Sequence, residues 1–247
     1  MIPIKTCQEI DKMKEAGKIL ARIMDQLERS VKPGKMTQEL DRLAAAEILK
    51  AGVRSAFKGY KGYPANICVS VNEEVVHGIP GRRKLIEGDI ASIDIGIEMA
   101  GFFVDMAKTF PVGRVAAQKQ ELIDVTRESL EKAISKIRPG FKLFDISAAV
   151  QGHVEPRGFS VVRDFVGHGI GRQLHEEPQI PNFGSAGSGP ALKDGMVLCV
   201  EPMINAGTWE VEILQDGWTA VTADRKPSAH FEHTVAICNG EPLVLTR

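Results

Sequence analysis

The chain has 247 residues, of which 43% are hydrophobic and 26% charged, the composition of an ordinary globular protein with a substantial core. Its 31 Lys and Arg against 32 Asp and Glu leave a formal net charge of −1, so there is no global attraction to nucleic acid or to an anionic membrane, and Gly81-Arg-Arg-Lys84 reads as a solvated turn. No run of about 18 or more apolar residues is present, Met1 to Thr6 lacks the basic stretch and apolar core of a signal peptide, and Cys7, Cys68, Cys199 and Cys238 show no Cys-x-x-Cys spacing. A cytoplasmic protein with free thiols is expected.

Thr6-Cys-Gln-Glu9 has the form of a capping box, with Ile10, Met13, Gly17, Leu20, Met24 and Leu27 following at helical spacing toward a stop before Pro33-Gly34. A second helix fits Thr37 to Lys50 and ends at Gly52. Ser55 to Ala65 is a loop rich in glycine and aromatics. Ile67 to Val71 reads as a strand, followed by a strand and turn from Asn72 to Gly81 that carries His77. After a hairpin, helices are expected over Ala117 to Ile137, with Ile123, Leu130, Ile134 and Ile137 buried, and over Phe144 to Glu155. Ser160 to Val166 reads as a strand.

The hairpin, Gly88 to Phe110, concentrates the interest. β-Rich runs flank Glu98-Met-Ala-Gly101, which reads as a four-residue loop. A symmetric register would make Asp94 and Asp105 a directly opposed pair, their Cα atoms roughly 4.5–5.5 Å apart. Alternation places Ile90, Ser92, Asp94, Gly96, Phe103, Asp105, Ala107 and Thr109 on one face. Ala91, Ile93, Ile95, Ile97, Val104, Met106 and Phe110 lie on the other. Opposed carboxylates repel, so a cation should lie between them. Surface carboxylates, or carboxylates with separate Lys or Arg partners, fit the hairpin alone equally well.

The second half echoes the first. Val31 to Leu40 aligns with Ile137 to Ile146 at an offset of 106, and Leu85 to Asp94 with Leu192 to Glu201 at an offset of 107. Asp94 thus corresponds to Glu201. A partner strand from Ala229 to Ile237 makes Glu232 the counterpart of Asp105, more loosely because its connection is longer. The expectation is a single domain over residues 1–247, with an internal repeat of about 9–110 and 117–239. Its α/β (α+β) lobes would be related by a pseudo-twofold, with four carboxylates facing each other across the axis.

Between the halves lies Gly167-His-Gly-Ile-Gly-Arg-Gln-Leu-His-Glu-Glu-Pro178, which lacks the P-loop lysine and the Rossmann glycine spacing. Its glycines let the backbone carry His168 and His175 close to a site, although a lone histidine is more often structural. Four carboxylates and one imidazole suit two divalent cations with a hydroxide between them. Such a pair, roughly 3.5–4 Å apart, polarises a carbonyl and acidifies water. With no Cys thiolate contributing, oxygen donors plus a single nitrogen point to Co, Mn, Fe or Zn rather than Mg or Ca. The zincin motif His-Glu-x-x-His is absent.

The ordered set Asp94, Asp105, His168, Glu201 and Glu232 lies in Ser92-Ile-Asp-Ile-Gly, Phe103-Val-Asp-Met-Ala, Gly167-His-Gly-Ile-Gly, Val200-Glu-Pro-Met and Phe231-Glu-His-Thr. In these motifs the chain resembles the methionine aminopeptidases from about Thr6 to its C-terminus. With 31 residues from Glu201 to Glu232, it resembles type I, lacking room for the helical insert of type II. The resemblance implies the duplicated pita-bread fold, an antiparallel curved sheet with helices on its outer face, and removal of initiator methionine. It implies that Asp94 chelates one metal, Asp105 and Glu232 bridge both, and His168 and Glu201 complete the second, Glu201 also handling the proton of the attacking water. His77 would stand near the scissile amide nitrogen, and His175 would donate to the substrate carbonyl. Tyr60, Tyr63, Cys68 and Trp218, with Phe57 and Leu174, would form the methionine pocket. Leu174 stands where phenylalanine is common, Phe57 where some members have cysteine, and His230 where glutamine is common. The partners implied are the N-termini of nascent polypeptides, met by a monomer with a possible ribosome contact. The competing readings are a proline-specific aminopeptidase of the same fold, which usually carries an extra N-terminal domain, and a non-catalytic peptide-binding module, which would have lost ligands.

Overall fold

The hairpin forms the longest strand pair of the molecule. In the computed structural model, which describes residues 2–247 and leaves Met1 outside the described residues, it runs as Ile90–Met99 and Phe102–Pro111. The turn is tighter than the sequence suggests. Met99 pairs with Phe102, leaving only Ala100 (φ 52°) and Gly101 (φ 81°) between the strands. Two successive residues in the left-handed region match the twist of a two-residue hairpin. The register therefore shifts by two: Asp94 faces Ala107 and Asp105 faces Gly96, not each other. Because the side-chain period is also two, the shift preserves the faces. Both aspartates still point to the same side as diagonal neighbours.

We number the strands of the main sheet β1 (Arg54–Ser55), β2 (Cys68–Val71), β3 (Ile90–Met99), β4 (Phe102–Pro111), β5 (Gly167–Gly169), β6 (Glu176–Ile180), β7 (Val197–Val200), β8 (Glu232–Cys238) and β9 (Glu241–Val244). Their order is β1-β3-β4-β8-β7-β5-β6, with β2 also on β3 and β9 also on β8, and all pairings are antiparallel. Two three-stranded sheets flank it, one joining Ser228–His230, Met203–Asn205 and Ser160–Val161, the other Val211–Ile213, Ala220–Thr222 and Glu74–Val76. The strand expected over 160–166 is thus only Ser160–Val161, and that expected over 229–237 is broken at Phe231.

Among the described residues, four α-helices cover the outer face. α1 (Cys7–Ser30) begins at the Thr6–Glu9 capping box, and α2 (Thr37–Lys50) has the bounds its sequence predicts. α3 (Ala117–Ile134) stops three residues early, Ser135 to Ile137 closing by short-range turns, and α4 spans Leu143–Val154. Met13, Leu20 and Met24 of α1 are sealed in one core cluster with Ile93, Ile95 and Met106 of the hairpin's apolar face. A second cluster joins α3 and α4 to Leu198, Val200, Val235 and Ile237. Burial of each such side chain contributes roughly 1.5–3 kcal/mol.

The two halves carry matching devices. Met36 bridges to Lys84 and Lys142 to Ala191. Glu39 accepts from the Met36 N–H at the start of α2 (2.8 Å), as Asp145 accepts from the Lys142 N–H at the start of α4 (2.7 Å). Among the described residues no helix is long and apolar enough to cross a membrane. Gly17 lets α1 settle on the C-terminal segment, since a Cβ there would overlap the Leu245 carbonyl. Gly17→Ala should therefore destabilise the fold by about 1–3 kcal/mol despite its better helix propensity. A lowered denaturant midpoint at unchanged m-value is the expected readout.

Candidate metal centre and substrate cleft

Where β4 meets β8, Glu232 faces Ala107 and His233 faces Met106, which brings the carboxylates of the two halves together. Two threonines close the seam. The Thr234 hydroxyl accepts from the Asp105 N–H (2.9 Å) and donates to the Asp105 carbonyl (2.8 Å). Thr109 does the same for His230, both contacts being 2.8 Å. The main chain beside the aspartate is thus fixed without spending its carboxylate. Asp94, Asp105 and Glu232 each offer an oxygen within 4.8 Å of the others.

Glu201 follows the end of β7, its carboxylate between two imidazoles. His168 Nε2 lies 3.5 Å from Oε1 and His230 Nε2 lies 3.7 Å from Oε2. The other ring nitrogen of His168, Nδ1, is 2.8 Å from the Gly169 carbonyl and must donate to it, which leaves Nε2 bare and facing the cleft. Glycines permit this approach: a Cβ at Gly167 or Gly169 would strike neighbouring carbonyls.

The electrostatics are severe. Burial, then the charges of Asp105 and Glu232, push the Asp94 carboxyl well up. Burial lifts Asp105 to about 7. Glu201 and Glu232 also rise well above the usual carboxylate range, through burial and then their acidic neighbours. Among the described residues, no lysine or arginine pairs with any of the four. One buried oxygen each of Asp94, Asp105 and Glu232 has no hydrogen-bond partner. Burial, and then His175, lowers His168 to about 3, keeping it neutral as a ligand must be. A divalent cation cradle fits these residues, because a cation would satisfy the orphaned oxygens and relieve the repulsion together.

The sequence-derived candidates converge on one cleft of about 730 Å³ that is open to solvent. Phe57, Tyr60, Tyr63, Cys68, Leu174 and Trp218 line its apolar end; the four carboxylates, His77, His168 and His175 line the other. Tyr63 packs edge-on against Trp218 at 5.1 Å, and its hydroxyl turns away toward the Ile67 and Gly78 carbonyls. Cys68 sits opposite Asp94 in the β2–β3 register, at the junction of the two ends. His77, held at φ 61°, stands edge-on to Phe165, and burial lowers its imidazole to about 4. His175 is exposed at the rim with Nδ1 2.8 Å from the Tyr60 hydroxyl.

Several neighbours escaped the sequence reading. Lys61 lies at the mouth with its ammonium 5.4 Å from the Tyr60 ring centre. Phe165 extends the cleft past His77 and His175, and no local pattern marks it. Cys199 places its sulfur within 4.8 Å of ligand atoms of His168 and Glu232, so a thiol does border the site. The period-two spacing from Glu201 already carried that signal. Burial raises this thiol's pKa, and the sulfur lies 3.5 Å from the Thr234 hydroxyl, so no thiolate is offered.

Comparison with known proteins agrees with this geometry. The model of metallopeptidase family M24 matches residues 11–239. A methionine aminopeptidase of Clostridium perfringens is 52% identical, the match covering 100% of this chain and 99% of the relative. The crystal structure of a methionine aminopeptidase from Thermotoga maritima superposes with a TM-score of 0.98 at 49% identity over 100% of both chains. Prolidase from Pyrococcus furiosus shares the fold, with a TM-score of 0.81 at 20% identity, covering 99% of this chain and 65% of the prolidase.

With Asp105 drawn up to about 7 and its three acidic neighbours also raised, the metal-free cluster retains protons near neutrality. A cation needs the ionised carboxylates, so its binding must expel those protons, and apparent affinity should climb as pH rises toward and through 7. Calorimetric titration in buffers of different ionisation enthalpy should show net proton release just below neutrality. Asp105→Asn should lose most of the affinity and the activity together.

Proposed function

The chain belongs to metallopeptidase family M24 and, within it, to the methionine aminopeptidases, and from that membership we propose that its cleft removes the initiator methionine from nascent proteins whose second residue is small. The observation that carries this reading is the convergence of four buried carboxylates and a bare imidazole nitrogen at the end of an apolar slot. We propose that Asp94, Asp105, His168, Glu201 and Glu232 would hold two divalent ions, drawn from Co, Mn, Fe or Zn. When bound, such ions supply Lewis-acid polarisation and acidify water.

The protein's own groups do the rest. The methionine side chain lies between Tyr60, Tyr63, Cys68 and Trp218, with Phe57 and Leu174, where aromatic and sulfur surfaces suit a thioether. The free amine then meets the acidic end of the cleft. Glu201 takes the proton of the attacking water and passes it to the leaving nitrogen, for which a raised carboxyl pKa is suited. His175 donates to the carbonyl oxygen from Nε2, the tautomer in which its Nδ1 accepts from the Tyr60 hydroxyl 2.8 Å away. His77, kept neutral by burial, faces the scissile nitrogen.

The matching devices of the two halves support one domain built by duplication, about residues 9–110 and 117–239. We place the enzyme in the cytoplasm as a monomer acting on nascent N-termini at or near the ribosome. A proline-specific activity is not favoured, because the likeness to prolidase is one of fold alone.

Glu201→Gln keeps the shape of the side chain but cannot accept the proton, so kcat should fall by at least ~10²-fold. A change confined to KM would contradict the proton role. In a Met-X-Ser series, X = Gly, Ala or Ser should be cleaved far faster than Ile, Lys or Phe, because the second residue must pass between His77 and His175. Norleucine should substitute for methionine, since small changes in an apolar pocket discriminate by only ~1–3 kcal/mol. Equal rates across the series, or efficient release of N-terminal Leu or Lys, would defeat the methionine assignment.

A further inference from the structure

Lys5 and Glu176 form an ion pair at 2.5 Å, with side chains only 5% and 8% exposed. Burying both members of such a pair is costly, and packing alone would be served as well by apolar side chains. What the pair holds is therefore informative. The other oxygen of Glu176 accepts the N–H groups of Arg172 (2.7 Å) and Gln173 (3.2 Å), closing the turn that runs from Gly171 to Glu176. The Lys5 stem lies on Gly171 itself, where a Cβ would come within 2.8 Å of Nζ. Its own backbone is tied down by donation to the Gly195 carbonyl at 2.7 Å.

The same turn is held from two other sides. Arg172 pairs with Glu9 of α1 at 2.5 Å, and the Gly171 carbonyl accepts from the Phe103 N–H at 2.8 Å. Leu174 and His175 sit inside this clamped turn, one forming the pocket wall and the other standing at the rim. His175 is exposed; among the described residues its ring bonds only to the Tyr60 hydroxyl, and it packs against the Tyr60 and His168 rings at 5.2 and 4.3 Å. The backbone that carries the ring is thus set by the turn.

We propose that Lys5 is a positioning residue for His175: through Glu176 it locks the turn so that the imidazole meets the scissile carbonyl, making the N-terminal arm part of the turnover machinery. The proposal rests on the reading of His175 as the carbonyl donor. None of the metal-ligand candidates lies on this turn, and His168, although its ring packs 4.3 Å from that of His175, is held separately by its bond to the Gly169 carbonyl, so metal binding should be spared.

The test is a double-mutant cycle on the metal-loaded enzyme with Met-Ala-Ser as substrate, joined to calorimetric metal titration of each variant. Lys5→Met should lower kcat by on the order of tenfold or more, since a misplacement of about 1 Å costs up to ~10²-fold. KM and metal affinity should change by less than about twofold. In a His175→Ala background the same substitution should cost less than about twofold further, because it acts through the missing ring. If Lys5→Met does not fold, Glu176→Gln, which keeps an acceptor for the two N–H groups, must show the same non-additivity. Equal fold-losses in both backgrounds, or wild-type kcat in Lys5→Met beside a crippled His175→Ala, would overturn the proposal alone. Full kcat in His175→Ala by itself would remove the reading of His175 and the proposal with it.

Discussion

Four carboxylates gathered in one cavity, with no lysine or arginine paired to them among the described residues, are the constraint on which the rest of this structure turns. Packing cannot relieve it, because burial itself raises the cost of each charge. Either the group stays protonated or a cation enters. The fold keeps this conflict in place by mounting Asp94, Asp105 and Glu232 on strands and Glu201 immediately after one, in a sheet whose outer face is sealed beneath helices. Strand-borne carboxylates cannot swing away to water, so the cluster is preorganised for a cation.

The threonine seam shows how the scaffold spares the carboxylates. Thr234 satisfies the peptide groups of Asp105, and Thr109 those of His230, across the line where the halves meet. Main-chain partners come from hydroxyls, and the carboxylate oxygens stay uncommitted. Cys199 belongs to the same layer, a protonated thiol between Thr234 and Glu232 that fills space without adding negative charge.

The histidines complement this arrangement by remaining neutral. Burial holds His77 near 4 and both His168 and His230 near 3, so each is an imidazole at physiological pH. A cationic ring beside the carboxylates would have neutralised them and competed with a metal. A neutral ring can ligate or donate instead, and for His168 the tautomer follows from its partner, since the Gly169 carbonyl can only accept.

Much of this was legible in the sequence because it depends on local periodicity. The capping box of α1, the bounds of α2, the shared face of Asp94 and Asp105, and the glycine-flanked histidines all follow from spacings of a few residues. The motif order then identified the cavity's members. What the tertiary structure alone decided was long-range or set by one torsion. Ala100 in the left-handed region tightens the turn and moves Asp94 opposite Ala107, a choice its own residue type does not favour. Phe165, from a loop, and Lys61, from the short turn Tyr60–Gly62, reach the site from outside the main sheet. Lys5 meets Glu176 across 171 residues of chain. Periodicity tells a side chain which face it occupies, but only the closed fold determines which other face it meets.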